Sequence, residues 1–143
     1  MKTIEEIQAE IVDEFNFFND WTEKYEYLID MGKSTQNMKK ESKINSNLIK
    51  GCQSKVWLDA EMQQGKVIYF ADSDAIITKG IVGLLLRVFS NQKPKDIILA
   101  SLSFIDKIGL KEHLSPTRAN GLMAFIKQIK LYAIGYNDKK AKK

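Results

Sequence analysis

A β-hairpin followed at once by a strongly apolar helix constrains this chain most. Val56 to Met62 and Lys66 to Ala71 are rich in strand-forming residues. Gln63-Gln64-Gly65 between them reads as a short glycine-containing turn. Asp72-Ser73-Asp74 then opens a helix from Ala75 to Phe89, carrying Ile76, Ile77, Ile81, Leu84, Leu85 and Val88. A helix apolar over so much of its circumference is expected at the centre of the fold. Gly80 and Gly83 inside it are expected where another backbone comes close.

Helical patterns stand on both sides. Thr3-Ile4-Glu5-Glu6 is a capping box, and Ile4, Ile7, Ile11, Phe15 and Phe18 follow at helical spacing. This predicts a helix over Ile4–Phe17. Asp20 to Glu23 restarts the pattern, with Trp21, Tyr25, Leu28 and Ile29 on one face and Gly32 placed as a C-terminal cap. Lys33 to Asn47 reads as a long polar loop with room for one helical turn, and Leu48 to Lys50 as a short strand. Short helices are expected at Lys95–Ala100 and around Phe104, Ile105 and Ile108, the latter ending at Gly109. Ser115-Pro116 starts a last helix, expected to run to about Ile134. The class is α+β: a small antiparallel mid-chain sheet flanked by N- and C-terminal helices. The 143 residues suit a single domain, expected over 1–136, with 137–143 a lysine-rich, disordered tail.

Charge and composition narrow the function classes. The net charge is +4, unevenly spread. Residues 1–30 hold nine acids against Lys2 and Lys24, and the tail holds four lysines against Asp138. No basic stripe interleaved with aromatics is present, so a nucleic-acid partner is not expected. No apolar run has the length of a membrane span. With one cysteine and no export pattern at the N-terminus, a reducing cytoplasm is the expected compartment. No unexplained apolar face demands a permanent dimer, so a monomer is expected.

The single cysteine, Cys52, excludes an internal disulfide and cannot build a metal site unaided. Gly51 before it and the strand after it place the thiol on a turn at a strand end, where it can be presented. Lys50 and Lys55 would favour the thiolate; the alternative is a packed, inert thiol. Asp72 and Asp74 read first as N-cap residues, and as cation ligands or partner contacts second. No metal is expected, because no further carboxylate or histidine cluster accompanies them. His113, the only histidine, is a candidate base for Cys52 or a surface residue. Arg118 falls in the first turn of its helix, against the dipole, and Asn120 and Gly121 are poor interior residues. Three broken local rules within four residues mark a functional or close-packed position.

Gly51 to Leu58, then Ala71 to Ala75 with Lys79-Gly80, then His113 to Leu122, in this order and at these separations, together resemble the SufE family of sulfur-acceptor proteins in iron–sulfur cluster assembly. The resemblance implies a SufE/IscU-like fold. It implies a carrier rather than a turnover enzyme: Cys52 accepts persulfide sulfur from a SufS-like cysteine desulfurase, stimulates that enzyme, and passes sulfur to a SufBCD-like scaffold complex. The carrier itself has no cofactor; pyridoxal phosphate belongs to the desulfurase. Gly51, Gln53, Asp74, His113 and Arg118 are then expected to shape the thiol loop or contact the partner. A free Cys52 is expected to rest in a partly apolar pocket between its loop and the central helix. The alternatives are an acceptor for a different cysteine desulfurase, a stand-alone thiol enzyme, and an interaction module with a structural cysteine.

Overall fold

The structure is a computed structural model and describes residues 2–33, 38–52 and 54–141, with side chains to 138. Two N-terminal helices, α1 (Ile4–Phe17) and α2 (Trp21–Lys33), precede a hairpin of β1 (Val56–Gln63) and β2 (Lys66–Ser73). Then come α3 (Ile76–Phe89), α4 (Pro94–Leu99), α5 (Ser103–Lys107) and a long α6 (Pro116–Ala141). The expected α+β class holds.

Local chemistry explains most of the boundaries. Thr3 Oγ1 accepts from the Glu6 N–H and the Glu6 carboxylate accepts from the Thr3 N–H, the reciprocal capping box that starts α1. Asp20 caps α2 by accepting from the Glu23 N–H at 2.9 Å. Ser115 does the same for α6, through Arg118 N–H at 3.2 Å, with Pro116 in the first helical position. The hairpin turn is tighter than expected. Gln63 pairs with Lys66, leaving the two-residue loop Gln64-Gly65, both with positive φ (54° and 81°). Such a loop matches the right-handed twist of the strands.

Alternation sorts the hairpin into two faces. Val56, Leu58, Val67, Tyr69, Ala71 and Ser73 are buried, and Leu58 opposes Ala71 across the ladder. This face packs on α3, which also touches α1, α2 and α6. Gly80 to Leu86, Val88 and Phe89 of α3 are buried, so the central helix stands as expected, although Ile76 at its start is 67% exposed.

Both sheet edges are covered. Val67 N–H donates to Gln92 O (2.9 Å) and Tyr69 N–H to Ser90 Oγ (3.0 Å) on the β2 side. On the β1 side Leu48 bridges Trp57, and the hydroxyls of Tyr132 and Tyr136 donate to Leu58 O (3.5 Å) and Ala60 O (3.0 Å). A two-stranded sheet is thereby built into the core rather than left with open edges.

Several expectations are corrected. Gly32 is no C-cap. It lies inside α2 and is buried, because α2 and α3 cross backbone to backbone: a methyl on Gly32 would stand 2.8 Å from Gly80 N. Neither Asp72 nor Asp74 caps α3; Ala75 is the N-cap residue and makes no side-chain bond there. The polar loop holds two 3-10 turns, Lys40–Ser42 and Asn45–Asn47, while residues 34–37 lie outside the described residues. Leu48 makes one bridge, not a strand. The last helix runs past Ile134 to Ala141, so residues 137–141 of the expected tail have helical backbone.

Candidate functional site

The thiol loop is pinned at both ends. Upstream, Ile49 N–H donates to Val56 O at 2.8 Å. Downstream, Asp74 grips Lys55 twice: its carboxylate accepts from Lys55 N–H at 3.1 Å and its own N–H donates to Lys55 O at 3.2 Å. Asp74 therefore ties the exit of the loop to the start of α3. Gly51 turns the chain between these anchors with φ at 91°, a conformation that side chains disfavour. Asp72, the neighbouring acid, is engaged elsewhere. Its carboxylate pairs with Lys43 (2.6 Å) and Lys79 (3.3 Å), holding the polar loop against the sheet.

Cys52 is half-buried and points into a small cavity of about 40 Å³. The walls come from three places. The loop and β1 supply Ser54 and Val56; α3 supplies Thr78, Ile81, Val82 and Leu85; α6 supplies Thr117, Arg118, Gly121, Leu122 and Phe125. The thiol donates weakly to Gly121 O at 3.7 Å. Burial pushes its pKa up, since an apolar surround disfavours the anion. Lys50 and Lys55, expected to favour the thiolate, are exposed, and burial prevails over them. A resting thiol of this kind is a weak nucleophile.

Arg118 stands at the cavity, exposed to solvent, and has no ion-pair partner among the described residues. Cys52, Gly51, Asp74 and Arg118 thus fall on the thiol loop, its anchor and its cavity. His113 does not line the cavity. Its ring stacks on Trp21 at 3.8 Å between centroids, and its Nδ1 lies 3.0 Å from Gly109 O, so that nitrogen is the protonated donor. Its carbonyl accepts from the Tyr25 hydroxyl. His113 packs the connection before α6 onto α2. Gln53 lies outside the described residues.

The third wall was not foreseen. Thr117, Leu122 and Phe125 reach Cys52 across some 65 or more positions of sequence, and no local pattern announces such a contact. Gly121 was the available signal, a glycine inside a helix that has no need of one. Among the described residues no three His, Cys, Asp or Glu side chains gather as for a metal ion. No described helix is long and apolar enough to cross a membrane.

Fold and site together define an α+β domain that shelters one thiol on an anchored loop above an apolar cavity. Residues 9–133 match the family model described as SufE, Fe–S metabolism associated domain. The chain is 37% identical over 131 residues to an uncharacterized SufE-like protein of Rhizobium meliloti, covering 88% of this chain and 94% of that one. It is 38% identical over 128 residues to an uncharacterized SufE-like protein of Synechocystis, covering 90% and 80%. Its fold is similar to the solution structure of a hypothetical protein from Thermus thermophilus, with a TM-score of 0.76 at 18% identity over 90% and 94% of the two chains. The chain belongs to the SufE family, and through it to iron–sulfur metabolism.

Proposed function

We propose that this protein is a sulfur carrier that takes sulfur from a cysteine desulfurase onto Cys52. The observation that carries the reading is the placement of the chain's only thiol, half-buried above an apolar cavity on an anchored loop, in a member of the SufE family.

The desulfurase, a SufS-like enzyme with its own pyridoxal phosphate, removes sulfur from free cysteine, releases alanine and holds the sulfur as a persulfide on its own cysteine. The Cys52 thiolate attacks the terminal sulfur of that persulfide. The new S–S bond forms to Cys52, the old one breaks, and the partner's thiolate leaves. One sulfur moves and no net electrons are exchanged. The product is a persulfide on Cys52, which a SufBCD-like scaffold complex then receives. Clearing the partner's thiolate also frees the desulfurase for another turnover, which is the activating role.

The resting geometry suits a carrier better than a stand-alone thiol enzyme. Such an enzyme needs a low-pKa thiol and a base beside it, whereas burial raises the Cys52 pKa and His113 stands elsewhere. A sheltered thiol reacts little until docking draws the loop outward. Gly51 gives the backbone freedom for that movement, and Arg118, exposed and without an ion-pair partner among the described residues, is placed to meet a carboxylate of the partner or the emerging thiolate. The carrier is a cytoplasmic monomer with no cofactor of its own.

The test is alanine production by a SufS-like desulfurase with and without this protein. Wild type should raise the rate, and Cys52→Ser should bind the desulfurase but leave the rate unchanged. Equal stimulation by both forms would show that the thiol is not the acceptor.

A further inference from the structure

The α6 helix carries two interior glycines, and they stand in different surroundings. A methyl on Gly135 would meet nothing within 4 Å among the described residues. A methyl on Gly121 would stand 3.1 Å from Cys52 Sγ, 3.6 Å from Cys52 Cα and 3.7 Å from Cys52 Cβ. The whole of Cys52, backbone and thiol, therefore lies against the bare face of Gly121. The same glycine supplies the carbonyl that accepts from the thiol at 3.7 Å. One helical turn further on, a methyl on Gly51 would stand 3.9 Å from Ala124 Cβ, so residues 51 and 52 both run along this side of α6.

We infer that Gly121 is a positioning residue: the missing side chain is the seat that lets Cys52 retract into its cavity. A Cβ at this position stands 3.1 Å from the thiol sulfur, so the thiol must give by a few tenths of an ångström, and Cys52, on the loop anchored at Ile49 and Lys55, yields outward. Retraction matters for function only if Cys52 is the sulfur carrier proposed above. The seat itself is testable without a partner.

The experiment compares iodoacetamide alkylation of the isolated wild type, Gly121→Ala and Gly135→Ala across pH. Both substitutions suit a helix, but only the first touches Cys52. Gly121→Ala is expected to alkylate faster at neutral pH, with the midpoint of its pH profile moved down. A drop of one pKa unit on return to water corresponds to about tenfold more thiolate. Gly135→Ala should match wild type. An unchanged rate and midpoint for Gly121→Ala, or equal acceleration by both variants, would overturn the inference.

Folding is covered by repeating the substitution beside Cys52→Gly, where the methyl has no thiol or Cβ to meet. Urea unfolding should show Gly121→Ala less favourable with Cys52 present than in the Cys52→Gly chain. An equal effect of Gly121→Ala on unfolding in both backgrounds would overturn the seat. Intact mass after incubation with a SufS-like desulfurase and cysteine separates the two claims. Faster alkylation of Gly121→Ala with no added sulfur on wild type keeps the seat and removes the carrier reading. Added sulfur with no change in alkylation does the reverse.

Discussion

Gly80→Ala is the substitution on which the packing of this fold can be tested most sharply. The α2 and α3 helices touch through backbone, with Gly32 of one facing Gly80 of the other. A methyl on Gly80 would stand 2.7 Å from the Leu28 carbonyl carbon, with the Leu28 oxygen closer still. Ordinary carbon contacts lie at about 3.5–4.0 Å, so the helices must part by about 1 Å. The contact is backbone on backbone and no rotamer change relieves it. Overpacking of this kind typically costs about 1–3 kcal/mol, and the crossing loses contact on either side of the methyl as well. Alanine returns about 0.5–1 kcal/mol through helix propensity. A net loss of about 2–2.5 kcal/mol follows, taking the overpacking value at its upper end. At about 2–4 °C per kcal/mol for a chain near this size, Tm falls by about 4–10 °C. The internal control is Gly135→Ala, with no described neighbour within 4 Å of its methyl, which should gain about 0.5–1 kcal/mol. Urea unfolding followed by circular dichroism at one temperature, with equal m-values, measures both. Because Ile81 and Val82 wall the thiol cavity next to Gly80, the variant should also alkylate faster at Cys52. A Gly80→Ala protein as stable as wild type would refute the close crossing of α2 and α3.

Two further outcomes are expected. Burial alone would raise the Asp72 pKa, but the Lys43 ammonium, the Ser73 N–H and Lys79 outweigh it and hold the carboxyl below its usual range. The stability this gives is present above the ordinary carboxylate pKa of about 4 and is lost as pH falls through the lower folded-state value. Asp72→Asn should therefore be less stable by about 1 kcal/mol at pH 7, a modest figure because both lysines are partly exposed, and the gap in urea midpoints should close near pH 2. His113→Gln should leave alkylation of isolated Cys52 unchanged at every pH, because its ring stacks on Trp21 and not at the cavity; a slower reaction would restore His113 as a base.

Where the sequence spoke clearly, it spoke through short-range chemistry. The Thr3–Glu6 box, the Ser115-Pro116 start and the hairpin alternation each depend on residues within a few positions of one another, and each stands in the structure. Misreadings arose where one residue type serves two purposes. Gly32 looks like a helix end but is a point of close approach. Asp72 and Asp74 look like caps, yet one clamps two lysines and the other holds Lys55. The sheet was legible but its sealing was not, because Tyr132, Tyr136, Ser90 and Gln92 reach the edges from distant elements. The site divides the same way. Cys52 and its loop were visible from composition and the neighbouring glycine. The α6 wall was visible only as a run of residues that break helix rules, without the thiol that explains Gly121.

The central claim is tested most directly by intact-protein mass spectrometry after incubation with a SufS-like cysteine desulfurase and free cysteine. The account predicts a gain of about 32 Da, one sulfur, on the wild type and none on Cys52→Ser. A wild-type protein that gains no sulfur from a desulfurase it binds and stimulates, or a Cys52→Ser protein that gains it equally, would contradict the assignment of Cys52 as the acceptor.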